Sequence, residues 1–332
     1  MAITTSGGPP SITSAGSARA PSDQATPKRA PGARRAEAIA GYLFVAVPMA
    51  LFLILNIGAL LYAVYISVWR WNLRTGPVTF LGIQNYLDVL DDPTFQRAVQ
   101  NSVYFTLVWV PLTMAIGLFL AVVVNQKIRG QTFFRASFYF PAIASSAAIT
   151  TLWIFIVSPY GLFNGIRAAL PLDILGSVFG FPPNQNWIHD QDTALNSVII
   201  LNAWTTSGTF MLFYLASLQS IPREVYEAAA VDGAGAWQTF RRITFPLLRP
   251  GHYFVATVAV IGALQLFDQA IFGGGVNGDP NNALMTMVLY LYNQAFKQFD
   301  FSMAAAVGVM LFALIFSATL VQRRLFGRDP EW

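Results

Sequence analysis

The residues of this chain that could do chemistry fall into two sets. The first lies on long apolar runs: Asn202 and Trp204 on one, Gln265 and Asp268 on another. Amides and a carboxylate beside an aromatic plate are the groups that bond hydroxyls and cover the apolar face of a sugar ring. Gln265 and Asp268 are three residues apart, so a continuous helix would put them on one face. Asn202 and Trp204 would stand at comparable depth on their own run. A lone carboxylate within an apolar run is costly, and Asp268 is expected to face a cavity or a partner. The plainer alternative leaves Asp268 at an interface with water and lets the amides bond across helices.

The second set is Glu227-Ala-Ala-Ala-Val-Asp-Gly233, followed by Ile243 and Pro246, a polar unit between two apolar runs in a chain poor in charge. Pro222 suits a first helical position, Glu224 suits the positive end of a helix, and the alanines are strong helix formers. Gly233 can take the left-handed conformation that closes a helix. A second helical stretch over Ala236–Ile243 follows, with Pro246 expected to stop it. The unit therefore reads as a helix–turn–helix with an acid at each end of its alanine run. It suits either recognition by a partner's groove or an amphipathic loop whose arginines meet lipid phosphates.

Other chemistries find no residues. The chain has no cysteine, and its two histidines, His189 and His252, are far apart, so thiol chemistry and a histidine-rich metal site are not expected. There is no glycine-rich loop ending in Lys-Ser/Thr, hence no nucleotide site of that kind, and nothing assembles a nucleophile, base and orienting acid.

The elements that must position both sets are membrane helices. Charged residues are 11% of the 332 and hydrophobic ones 55%, against about 25% charge in an ordinary soluble domain. Crossing a bilayer takes about 20 apolar residues. Six stretches meet or approach this: 41–68, 98–124, 138–157, 195–218, 253–272 and 303–321. An all-α polytopic membrane protein with six transmembrane helices is expected. Pro48, Pro111 and Pro141 read as kinks, because neighbouring helices re-satisfy the groups a proline frees. The third stretch is the most diluted, by Pro141 and the Ser145-Ser146 pair.

Fifteen of the twenty lysines and arginines lie before stretch one, after two, after four and after six, and five lie between the others. The positive-inside rule then places both termini and the 220–249 unit in the cytoplasm. The net charge of +4 is a topology signal and calls for no nucleic acid. Residues 1–37, rich in Ser, Ala, Pro and Gly, read as a disordered cytoplasmic tail, leaving 38–328 as the membrane domain.

Glu-Ala-Ala, a Gly six positions after the Glu, an Ile ten beyond and a Pro three further on resemble the EAA motif of ABC importer permeases. Phe245 stands where that family most often has Leu. The resemblance extends over roughly residues 38–328. Tyr42 to Trp69, Phe80-Leu-Gly-Ile-Gln-Asn-Tyr86, Phe133 to Pro141, and Gln265-Leu-Phe-Asp268 through Phe296 are similar to the carbohydrate group of these permeases, the maltose and glycerol-3-phosphate type. Gly273 to Pro280 departs from the family's usual Thr-Gly-Gly-Pro.

The resemblance implies a type I ABC importer permease. Its motif helix would dock in a groove of an ATP-hydrolysing subunit, with Glu227, Ala228, Ala229, Asp232, Gly233, Ile243 and Pro246 at the joint. No cofactor is expected on this chain, ATP–Mg²⁺ belonging to two ATP-binding subunits. A second permease, related but different, and an extracytoplasmic solute-binding protein complete the expected partners, with the lipid bilayer. No Lys or Arg falls inside an expected span, which points to a neutral sugar. The rival is a secondary transporter or channel using Asp268 as coupling acid.

Overall fold

A computed structural model describes residues 31–126, 130–169 and 174–326. The chain divides into two units, Met1–Gly58 and Ala59–Trp332. In the first, helix α1 (Pro31–Phe52) is followed by a π-wound segment, Leu53–Gly58. The expected tail 1–37 lies outside the described residues up to position 30. Residues 31–37, however, are the start of α1 and not tail, because Pro31 is preorganised for a first turn and the Ala-Arg-Arg-Ala-Glu-Ala run behind it is helix-forming. Arg19, Lys28, Arg29, Lys127, Arg129 and Arg328 also lie outside the described residues.

The second unit opens with α2 (Ala59–Ser67) and a β-hairpin, β1 (Trp69–Asn72) and β2 (Gly76–Phe80), antiparallel with a bulge at Arg70/Trp71. This hairpin is the only sheet among the described residues of an otherwise helical chain. Its cause is local: Asn72 Oδ1 accepts the N–H groups of Arg74 and Thr75, and alternating Trp69, Trp71 and Phe80 stack among themselves and on Tyr62 and Tyr65. The hydroxyl of Ser302 accepts the Trp71 N–H and ties the hairpin down.

Then come α3 (Gln84–Asp91), α4 (Pro93–Asn125), α5 (Gln131–Ile143), α6 (Ser146–Ile156), α7 (Leu162–Ala169), α8 (Ile174–Phe179) and α9 (Ala194–Gln219). After α9 lie α10 (Arg223–Val231), α11 (Ala236–Thr239), a π-turn at Phe240–Thr244, α12 (Phe245–Leu247), α13 (Arg249–Leu264), α14 (Asp268–Gly274), α15 (Met287–Phe296) and α16 (Phe301–Phe326).

Five stretches are long and apolar enough to cross a membrane: Ile39–Ser67, Pro93–Asn125, Ala194–Gln219, Arg249–Gly274 and Phe301–Arg324. The bent pair α5–α6 makes a sixth when counted as one, although its halves turn by 97°. The third expected span is thus not straight. Pro111 is carried inside α4 without a break, whereas Pro141 is followed by a break at Ala144 and Ser145, both extended. Proline removes a donor from the last turn of α5, and two small residues then complete the interruption.

The interior has two clusters. One joins α4, α9 and α13 around Trp109, Phe210, Met211, Tyr214 and Val255, and the other joins the start of α4 to α15 and α16 around Phe95, Met285 and Tyr290. α9 is central to the first. It runs parallel to α4, Tyr104 bonding Asn196 near one end (2.8 Å) while Asn125 and Leu218 line one cavity at the other. Between α6 and α9, the described residues of 158–193 form a folded cap. Asn164 Nδ2 donates to the carbonyls of Ser158, Pro159 and Gln185, its Oδ1 accepts Trp187 Nε1–H, and buried Arg167 bonds the carbonyls of Phe181 and Pro182.

Candidate coupling joint and substrate path

The hairpin after α9 is built as its composition suggests, with two changes. Pro222 caps α10 from one position outside, so Arg223 is the first helical residue. At the other end Gly233 has φ +74°, its N–H reaches the Ala230 carbonyl (3.1 Å), and the Ala234 N–H reaches that of Ala229 (2.9 Å). This is a Schellman closure, which requires the left-handed residue that glycine supplies. The second change is at Pro246, which does not stop the second arm. The N–H of Phe245 bonds the Phe240 carbonyl, winding one π-turn, and Pro246 then sits in the first turn of α12, where its missing donor costs nothing. The arm turns only at Leu248. The Thr244 hydroxyl, 3.3 Å from the Tyr226 hydroxyl, joins the two arms.

Of the expected docking residues, Ala229 is buried and Ile243 is half-buried. Glu227, Ala228, Asp232, Gly233 and Pro246 are exposed. Beside them stand two exposed apolar side chains that the motif does not contain, Val231 (88%) and Trp237 (70%). Their signal in the sequence is their position: Val231 ends the helix whose buried side carries Ala229, and Trp237 lies in the first turn of the next one. A cavity of about 760 Å³ opens alongside, lined by Asn125, Arg135, Arg223, Tyr226, Glu227 and Ala230. The exposed hairpin residues combine acids, the arginines Arg223, Arg241 and Arg242, and apolar side chains, a mixed surface of the kind a helix offers to a groove.

The path residues are arranged differently from expectation. Gln265 and Asp268 do not share a helical face. α13 ends at Leu264, Gln265 and Phe267 leave helical geometry (φ/ψ −99°/16° and −136°/−58°), and α14 restarts at Asp268. Both side chains are exposed. Broken helix at membrane depth is tolerated only where its backbone groups find partners. Here the hydroxyl of Thr286, which is fully buried, donates to the Leu266 carbonyl at 2.7 Å. Thr286 lies 20 residues away and carried no signal of this role. The second interruption meets the first, since Gln269 Nε2 on α14 reaches Ser146 Oγ on α6 at 3.3 Å.

Asn202 and Trp204 are level on α9 but turned apart. Two residues rotate a helix by about 200°, so Asn202 is 7% exposed in the interior while Trp204 is 44% exposed on the other side. Trp204, Gln265 and Asp268 are therefore open to what surrounds this chain, and Asn202 is not. Among the described residues no three His, Asp or Glu side chains gather as a metal site would require.

Residues 113–328 match the family described as binding-protein-dependent transport system inner membrane component. The probable ABC transporter permease protein YurN of Bacillus subtilis (strain 168) is 31% identical, over 87% of this chain and 97% of its own. The lactose transport system permease protein LacF of Rhizobium radiobacter is 33% identical, over 85% and 92%. The arabinooligosaccharides transport system permease protein AraP of Bacillus subtilis (strain 168) is 30% identical, over 87% and 88%. In fold the chain is similar to a bacterial ABC transporter involved in the import of the acidic polysaccharide alginate, with TM-score 0.74 and 18% identity, covering 90% of this chain and 100% of that one. The secondary-transporter and channel readings give way to these relationships. The chain belongs to the inner membrane components of binding-protein-dependent transport systems, the permease subunits of ABC importers and not enzymes.

Proposed function

We propose that this permease moves a neutral mono- or oligosaccharide into a prokaryotic cell, driven by ATP hydrolysed on separate subunits. The observation that carries the reading is the hairpin over residues 220–249. Its acids, small residues and exposed Val231 and Trp237 form a face that nothing among the described residues receives. With no nucleotide loop in the sequence, the hairpin receives force and does not generate it. Sugar as cargo is supported by relatives whose names specify lactose and arabinooligosaccharides. Neutrality is supported by the groups at hand: Asn202, Trp204, Gln265 and Asp268 include amides, an indole and a carboxylate but no cation for an acidic sugar. The alginate importer resembles this chain in fold alone and carries no argument about charge.

In this reading both termini and the hairpin are cytoplasmic, an orientation that the distribution of Lys and Arg supports. A second, related permease supplies the other half of the path, two ATP-binding subunits receive one hairpin each, and an extracytoplasmic solute-binding protein delivers the sugar. Each permease carries a single joint, which is why a partner of the same kind is needed. The test is reconstitution in liposomes with a panel of neutral disaccharides and an alginate oligosaccharide. The chain alone is expected to transport none of them, and the assembled complex to show ATP-dependent uptake of a neutral one. Proton-driven uptake by the isolated chain would overturn the reading, and uptake of the acidic oligosaccharide alone would overturn its neutrality.

A further inference from the structure

The hairpin is connected to the helix bundle by an unbroken line of rings. Trp237 stacks on Phe240 with centroids 5.8 Å apart, Phe240 meets Phe245 at 6.2 Å, and Phe245 lies 4.6 Å from the imidazole of His252. His252 Nδ1 is in turn 3.0 Å from the hydroxyl of Tyr214, a residue 1% exposed in the interior of α9. The line starts on the exposed face of the hairpin and ends in the central helix of the larger cluster.

The backbone is shaped to hold this line. The π-turn at Phe240–Thr244 takes in one more residue than α winding would, which rotates everything after it by about 100°. That rotation is what sets Phe245 against His252. Beneath the ring contact, α13 and α9 touch at Gly251: a Cβ there would stand 2.6 Å from Ser217 Oγ, so only glycine permits the approach. The Thr244–Tyr226 bond makes the hairpin's two arms one piece. Trp237 and Phe245 are exposed, but the line ends on buried Tyr214, where packing is dense and barely compressible and so transmits displacement.

We propose that His252 is a positioning residue for energy coupling, joining the hairpin, the first turns of α13 and the whole of α9 into one moving body. Displacement of the hairpin by a docked partner would then reach Asn202, roughly 18 Å further along α9 at 1.5 Å per residue. The proposal rests on the reading of the hairpin as the ATPase joint. It adds the route by which force leaves that joint, a rigid contiguous element of the kind coupling requires.

The chain has no cysteine, so Gln238→Cys on α11 and Ile200→Cys on α9 make a clean pair for spin labels. In the full complex in lipid nanodiscs, their separation is expected to change by no more than about 2 Å between the nucleotide-free and ATP–vanadate-trapped states. His252→Leu or Tyr214→Phe is expected to let the hairpin move while α9 lags, widening that change. The double variant is expected to be no worse than the worse single one, because both remove the same link. His252→Gln, whose amide still reaches a hydroxyl, is expected to restore the parent behaviour, which a purely structural role would not predict. Co-purification of the ATP-binding subunits reads docking separately. Its absence in the parent complex overturns the joint itself. Its retention, with an unchanged label distance in Tyr214→Phe, a variant that deletes one oxygen and no volume, overturns the relay alone.

Discussion

Gln265 closes one helix and Asp268 opens the next, so the two residues between them, Leu266 and Phe267, cross a break in the fifth span and not a turn of it. An unwound segment at this depth presents backbone and side chains to a common space, provided its own carbonyls are satisfied. Thr286 meets that condition at Leu266.

The first prediction follows from the exposure of these two residues. Asp268→Asn and Gln265→Ala should each lower sugar uptake by the assembled complex about tenfold, the effect of one lost hydrogen bond of about 1–1.5 kcal/mol. Binding of the ATP-hydrolysing partner should be unchanged. Thr286→Val, which removes only the hydroxyl that satisfies the break, should lower both uptake and thermal stability, and detergent-solubilised protein melting as before would refute its role.

At the hairpin, Gly233 holds φ +74° with open space where a Cβ would go. Substitution therefore clashes with nothing among the described residues, and the cost is backbone strain of about 1–2 kcal/mol for most residues. Gly233→Asn, tolerant of the left-handed region, should keep the ATP-binding subunit through purification, whereas Gly233→Val should lose most of it. Gly233→Asp should abolish transport. If Asn and Val behave alike, the turn is not what matters and a contact with the partner is.

The cap over residues 158–193 depends on Asn164, whose side chain serves three carbonyls and one indole. Asn164→Leu leaves these buried groups without partners and should destabilise the cap by about 2–3 kcal/mol. Limited proteolysis should then cut within 158–193 while α4 and α9 stay intact. Cleavage elsewhere first would show that the cap is not an independent weak point.

Tyr290, on α15, donates to Asp92 Oδ2 at 2.6 Å, and burial, reinforced by that carboxylate, holds its hydroxyl well above the usual phenol pKa. A group whose pKa is raised on folding contributes stability that is fully present below its unfolded value, near 10, and is lost as pH rises through the folded one. Above pH 10 the unfolded chain releases a proton that the folded chain keeps, so stability should fall by about 1.4 kcal/mol per pH unit. Melting curves between pH 9 and 11.5 should show this slope, and Tyr290→Phe should flatten it.

How far the chain could be read in advance differs from element to element. The spans at 98–124, 195–218 and 303–321 became Pro93–Asn125, Ala194–Gln219 and Phe301–Arg324, because a membrane admits few solutions and length with apolarity nearly decides the matter. The turn at Gly233 was legible because its conformation is a property of the residue itself. The hairpin at 69–80 was readable in principle, from the alternation of Trp69 and Trp71 and the turn-forming Asn72, but short strands amid aromatic helices give a weak signal.

The sequence by itself determined that this is a membrane protein with a polar two-armed hairpin and no glycine-rich nucleotide loop, since composition, span length and local turn chemistry are written residue by residue, and the motif's resemblance added the permease role. Only the tertiary structure decided which way those residues face. Asn202 is buried and Trp204 exposed because the bundle packs on the side of α9 that carries Asn202. The fifth span breaks at Gln265 because a hydroxyl 20 residues on can satisfy the freed carbonyl. Phe245 meets His252 because a π-turn and a glycine contact set two helices at one distance. Each of these depends on a partner remote in sequence, and no local pattern records where that partner will stand.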